Sequence, residues 1–170
     1  MTKLLIYLKS VLPRNTFYTL GTWVFGLARV RMIWYLGPRV MHIDEERVEI
    51  KIPLNARSRN HLRSMYMGAL CVGADVAGGL LAAVQIIEKG LPIDFLFADM
   101  EARFLKRPEA DVHFHCNDGA KLKALVDKAM ESGERHAETL KVIVTVPEQF
   151  AAEPVAEFGF TLSVKRRRNP

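Results

Sequence analysis

Polar and apolar positions change rhythm several times along this chain, and the longest apolar stretch frames the rest. From Met65 to Ile87 the run is almost uninterrupted and holds one charged residue, Asp75. A run of about 18 apolar residues is long enough to span a membrane. A carboxylate near the middle of an isolated span is costly, however, and the sequence that follows alternates as strands do. The pattern therefore predicts the buried central helix of a sheet-wrapped domain. Gly68, Gly73, Gly78 and Gly79 predict close approach of neighbouring elements to that helix.

On either side the period shortens to two. A strand is expected over residues 39–43 and a second over 47–54, with Asp44 and Glu45 in the turn. In the second, Val48, Ile50, Ile52 and Leu54 alternate with Glu49 and Lys51, and Pro53 marks its end or an edge. Beyond Gly90-Leu91-Pro92 a long strand is expected over residues 93–106. Its apolar positions shift from Ile93, Phe95 and Phe97 to Ala98, Met100, Ala102 and Phe104, which predicts a β-bulge near Phe97–Ala98. Val112, Phe114 and Cys116 then share one face of a strand, with His113 and His115 on the other. Asp118 or Asn117 is placed to cap an amphipathic helix carrying Leu122, Leu125, Val126, Ala129 and Met130, which Ser132-Gly133 closes. Two final strands carry Leu140, Val142, Val144 and Val146, and then Ala156, Phe158, Phe160, Leu162 and Val164. Upstream, residues 1–12 read as a short helix stopped by Pro13. Asn15 or Thr16 is the expected cap of a second, bearing Phe17, Leu20, Val24 and Leu27 and broken at Gly37-Pro38.

Six strands and a long apolar helix fit together only if the sheet curves around the helix, as the bulge allows. The reading is an α+β domain over residues 37–166, with an N-terminal helical extension over 1–36 and a basic tail over 167–170. An open sheet edge is economically covered by a second copy, so at least a homodimer, or a tetramer, is expected.

Charge adds an asymmetry. Residues 1–63 hold 11 Lys/Arg against 4 Asp/Glu, whereas the remainder holds 13 against 15. The basic half suits an anionic ligand or a membrane surface, and contact of residues 1–36 with a bilayer surface is one expectation. Nothing resembling a nucleic-acid docking module or stacking platform accompanies the charge, so nucleic acid is not an expected partner. A glycine-rich phosphate loop and a serine nucleophile elbow are absent from the sequence. Cys71 and Cys116 read as reduced core thiols, and His113 and His115 lack a third ligand nearby, so no metal is expected. The N-terminal segment is a weak match to an export signal, which makes the cytoplasm the default location.

The element order over residues 39–165 resembles the hotdog-fold superfamily, in particular its acyl-CoA thioesterases of the phenylacetic-acid-degradation type and the DUF4442 family. The likeness is sharpest across residues 60–79. Those thioesterases carry an asparagine, six residues on a histidine followed by two glycines, and an acid nine residues after the histidine. Here Asn60 matches the asparagine, Gly68 the second glycine and Ala74-Asp75 the alanine–acid pair. Tyr66 stands at the histidine and Met67 at the first glycine. Tyrosine, with an ordinary pKa near 10, does not replace histidine in acid–base work near neutral pH.

The resemblance implies an acyl-CoA thioesterase with Asp75 either directing a water or attacking the thioester carbonyl itself. The first-turn N–H of Gly68 could hold the developing oxyanion; Asn60 could fix the carboxylate, bind substrate or orient the water, and Tyr66 could donate to the carbonyl or line the acyl pocket. Gly68 and Asp75 stand about 10 Å apart along a helix, so one carbonyl reaches both only if they come from two subunits. For the substrate's phosphates, Arg57, Arg59 and Arg63 form one candidate patch and Arg103, Lys106 and Arg107 another, with Met67 beside the substrate. Coenzyme A enters as part of the substrate, an acyl-carrier-protein thioester would suit the same rim, and no bound cofactor is called for. The competing expectation is a hotdog protein that binds acyl-CoA or lipid without turning it over.

Overall fold

A computed structural model describes residues 3–167. Met1 and Thr2 of the expected first helix, and the tail beyond Arg167, lie outside the described residues. Three helices open the chain: α1 (Lys3–Val11), α2 (Arg14–Ala28) and α3 (Arg31–Leu36). They are followed by β1 (Arg39–Ile43), β2 (Val48–Ile52), α4 (Met67–Ala82) with a π-helical continuation (Ala83–Glu88), β3 (Ile93–Phe104), β4 (Val112–Cys116), α5 (Gly119–Ser132), β5 (Arg135–Thr145), α6 (Pro147–Phe150) and β6 (Pro154–Arg166). All six strands form one antiparallel sheet in the order β1-β2-β4-β5-β6-β3. The bulge falls where the phase change put it: Phe97 pairs with Leu162 and Asp99 with Thr161, which leaves Ala98 extra.

The sheet wraps α4, and side-chain size on the helix explains how closely. Its buried face is Ala69, Leu70, Gly73, Ala74, Val76, Ala77, Gly78, Leu81 and Ala82. Register lines up Ile50, Phe114, Val144 and Ala156 across four strands, all fully buried. The Phe114 ring lies directly on Gly73, where an added Cβ would stand 2.3 Å from the ring. The span Met67–Glu88 is long and apolar enough to cross a membrane, yet most of it is enclosed by this sheet.

The far end of the helix is fixed by a polar joint. Gln85 is buried, and its side-chain amide donates to the carbonyls of Glu45 and Gly119, both at 2.8 Å. Gly119 in turn donates its N–H to Glu46 at 3.0 Å. One residue thereby ties the π-helical turn to the β1–β2 turn and to the start of α5.

Three local expectations give way to longer-range bonds. Helix α2 begins at Arg14, directly after Pro13, so neither Asn15 nor Thr16 caps it. The Asn15 amide donates instead to the Met41 carbonyl and pins α2 to β1. Asp118 does hold the N-cap position of α5, but its carboxylate makes no capping bond and accepts the Lys141 N–H of β5 at 2.6 Å. The chain also breaks at Arg29–Val30, between α2 and α3, where no glycine or proline signals it. The turn lets α3 fold back until the Trp34 backbone nitrogen would stand 2.6 Å from a Cβ on Gly26.

Gly119→Ala is expected to destabilise the fold, because its Cβ would lie 2.2 Å from the Glu45 carbonyl oxygen, a backbone atom that cannot step aside. Overpacking of this kind costs about 1–3 kcal/mol. Gly79→Ala meets nothing within 4 Å and should instead raise stability by roughly 0.5–1 kcal/mol, the usual helical gain. Denaturant melts of the two variants check the contrast.

Candidate active site

Asp75 sits on the flank of α4 that the sheet leaves uncovered. It lines a cavity of about 530 Å³ bounded by α2 and α3 on one side, α4 and its π-helical turn on another, and the start of β3 on the third. The walls are apolar, with Phe25, Ile33, Leu80, Phe95 and Phe97 among them, and Asp75 supplies the one carboxylate among the described residues. Its side chain has no hydrogen-bond partner among the described residues. Burial without compensation pushes its pKa above the ordinary carboxylate value. A base of this kind is stronger than a solvated aspartate and attracts a proton or a polar ligand atom.

Tyr18 lines the same cavity, but its hydroxyl is already committed, donating to Glu88. Burial first, and the Glu88 carboxylate second, drive its pKa well above the usual phenol range. Lys9 and Arg14 reach Glu88 as well, Arg14 at 3.4 Å. These contacts hold Glu88 ionised and depress its pKa against the opposing effect of burial. Glu88 fastens α1 and α2 to the end of the central helix and so keeps the cavity walled. Nothing in the local sequence marks Glu88, Tyr18, Phe25 or Ile33 as site residues, since the cavity forms between segments far apart in the chain.

The other motif residues gather at the opposite end of α4. Tyr66 is extended, at φ −67° and ψ 138°, and its N–H donates to Ser58 at 2.8 Å. Its ring folds over Gly68, where an added Cβ would stand 2.5 Å from Cε1. The Tyr66 carbonyl accepts the N–H groups of Ala69 and Leu70. Among the described residues, the N–H groups of Met67 and Gly68 therefore remain the free amides of the first turn, and the side chains of Tyr66 and Met67 are exposed.

Asn60 shapes the approach to this helix start. Its side-chain carbonyl accepts the N–H of Leu62 at 2.9 Å and both the N–H and the hydroxyl of Ser64 at 3.2 Å. That tight loop places Arg63 at φ +63°. Met65 then donates to Pro108 at 2.8 Å, which draws the loop after β3 alongside. Arg59, Arg63 and Arg107 thus come from two loops joined at the helix start, all exposed. Arg57 lies over the Tyr35 ring at 5.9 Å and donates to its carbonyl. Lys106 pairs with Glu153 and Arg107 with Glu109, while Arg103 is exposed on β3. Within one chain, then, Asn60, Tyr66, Met67, Gly68 and the arginine loops are brought together, and Asp75 opens on a separate cavity about 10 Å down the helix.

Two other clusters stand apart. His113 bonds Glu49 at 2.8 Å and His115 bonds Thr145 at 3.0 Å on the outer sheet face. Among the described residues, no group of three or more His, Cys, Asp or Glu side chains could hold a metal. Both cysteines are free, and burial raises the Cys116 thiol to about 11.

A long helix wrapped by one antiparallel sheet is the hotdog fold. A family model described as a domain of unknown function, DUF4442, matches residues 21–164, and the chain belongs to that family. Among solved structures it is similar to a protein of unknown function from Pseudomonas aeruginosa, at 22% identity over 92% of this chain and 97% of that one, with a TM-score of 0.73. A protein of unknown function from Chlorobaculum tepidum matches at 12% identity, with 90% and 97% covered and a TM-score of 0.74. A thioesterase from Haemophilus influenzae matches at 15% identity, with 84% and 88% covered and a TM-score of 0.62. At these identities the likeness is one of fold. No curated protein matches the chain.

Burial makes the Asp75 carboxylate a liability for folding. Its pKa is raised in the folded state, so the folded chain binds more protons than the unfolded one between the ordinary aspartate pKa and the raised value. Stability falls as pH rises through that interval. Asp75→Asn should therefore raise the melting temperature at neutral pH, with the gain disappearing below the ordinary aspartate range. Melting curves across pH check this, and a gain independent of pH would contradict it.

Proposed function

We propose that the chain hydrolyses acyl thioesters of the acyl-CoA type, with Asp75 at the reacting carbonyl. The observation that carries the reading is a lone, unpartnered, desolvated carboxylate in the wall of an otherwise apolar cavity. The acyl group occupies that cavity, and the nucleotide phosphates lie near Arg59, Arg63 and Arg107. Asp75 takes a proton from water as the water attacks the carbonyl, or attacks the carbonyl itself to give an anhydride that water then opens. Either way the C–S bond breaks, the thiolate leaves and takes up a proton, and a carboxylic acid is released.

The reading includes a homodimer. The free N–H groups of Met67 and Gly68 are too far from Asp75 of the same chain to share one carbonyl with it, and a second copy can supply them as the oxyanion site. β3 is an edge strand paired only with β6, which offers a second copy an open row of backbone groups. The thioesterase named among the similar structures is in keeping with this chemistry.

A second reading, acyl-CoA or lipid binding without turnover, is favoured by two observations. Tyr66 stands where the resembled enzymes carry histidine, and the Asn60 carbonyl is already taken by its own loop.

Thiol release from acetyl-, medium-chain, long-chain and aromatic acyl-CoAs separates the two. Turnover is expected to rise with pH toward a plateau through an apparent pKa above that of an ordinary aspartate. Asp75→Asn should lower it by about 10²–10⁴-fold, the range for losing a general base, while acyl-CoA binding persists. A variant as active as the wild type would sink the assignment of Asp75. Binding with no turnover across the panel would leave the non-catalytic protein.

A further inference from the structure

Helix α2 carries an apolar stripe, Leu20, Val24 and Leu27, at the spacing that ordinarily turns toward a core. Here it points outward: the three residues are 43%, 68% and 57% exposed. The helix packs instead through its small and polar residues. Thr22 and Gly26 are its buried positions, Gly26 lies against the Trp34 backbone, and the Trp23 indole donates to the Pro38 carbonyl at 2.7 Å. The usual partner of the stripe is thus missing from the fold.

The stripe adjoins the cavity. Phe25, Val30, Ile87 and Leu96 line it and are themselves exposed. Arg29 and Arg31 flank Val30 at the α2–α3 elbow, both exposed and neither in an ion pair among the described residues. Residues 1–41 contain six Lys/Arg and no acid.

We propose that the α2–α3 elbow docks on an anionic phospholipid bilayer, with Val24 and Leu27 in the headgroup–acyl boundary and Arg29 and Arg31 on lipid phosphates. Apolar side chains beside basic ones, without acids, form the surface that such an interface binds. A symmetric contact with a second copy would bring the two sets of arginines together with no acid in this segment to offset them. The sheet already offers a copy a different edge, at β3. The elbow supplies part of the cavity wall, so docking brings the bilayer close to the cavity. The surface stands whether or not Asp75 hydrolyses anything.

The test is co-sedimentation of the full chain with phosphatidylcholine vesicles, with and without phosphatidylglycerol, at low and high salt. The expected result is recovery with phosphatidylglycerol vesicles that weakens as salt rises. Arg29→Glu with Arg31→Glu should weaken it by roughly tenfold or more, and Val24→Ser with Leu27→Ser should abolish it, with melting temperature and sedimentation coefficient unchanged. Trp23 and Trp34 are the chain's two tryptophans, so wild-type emission should shift to the blue when the anionic vesicles are added, with no mutation needed. Unshifted emission with no recovery, equal recovery on both vesicle types, or stripe variants that bind like the wild type would overturn the proposal. So would stripe variants that dissociate an oligomer, because a second copy would then be the occupant.

Discussion

The fold depends on how near a sheet can come to a helix. Gly73 lets the tip of the Phe114 ring reach the α4 backbone, and the alanines around it keep the whole helix face shallow. Dispersion falls steeply with distance, so a small gap along this contact would weaken the packing of four strands together. The same contact settles what the remaining face can do. A helix held that tightly on one side has a fixed azimuth, and Asp75 is fixed with it, on the flank the strands do not cover. The acid's exposure to the cavity is therefore a by-product of core packing rather than of any bond to the acid itself.

Two ends of one helix carry two kinds of chemistry. At its start, the free amides of Met67 and Gly68 and the arginine loops make a site for negative charge. Along its flank, Asp75 and the aromatic walls make a site for an apolar group with one polar atom. An acyl thioester has both characters in one molecule, which is why the proposed dimer, with the two sites supplied by different subunits, is read as a thioesterase. The loop ordered by Asn60 belongs to the first site: it uses its asparagine to build the approach, leaving the carboxylate undressed.

The central helix, the strand alternation and the bulge at Phe97–Ala98 were legible because each is written in neighbouring residues with a fixed period. Asp75 was legible for the same reason, as the one charge in an apolar run. What sequence could not show is where side chains find partners far along the chain. Asn15 and Asp118 have good capping chemistry, yet Met41 and Lys141 claim them. The stripe of α2 satisfies every local criterion for a buried face, and it is turned outward because Gly26 permits a closer contact on the other side. Tyr18, Phe25 and Ile33 look like ordinary core residues until α2 is laid against α4.

The cavity therefore has walls of different origin. Its floor belongs to the helix and strand that the whole domain requires, but much of its roof is α2, which forms no part of the wrapped sheet. Changes in Phe25 or at Gly21 can reshape the space above Asp75 without disturbing the contact between Gly73 and Phe114. The space can thus change shape independently of foldability, with one acid kept in place beneath a replaceable ceiling.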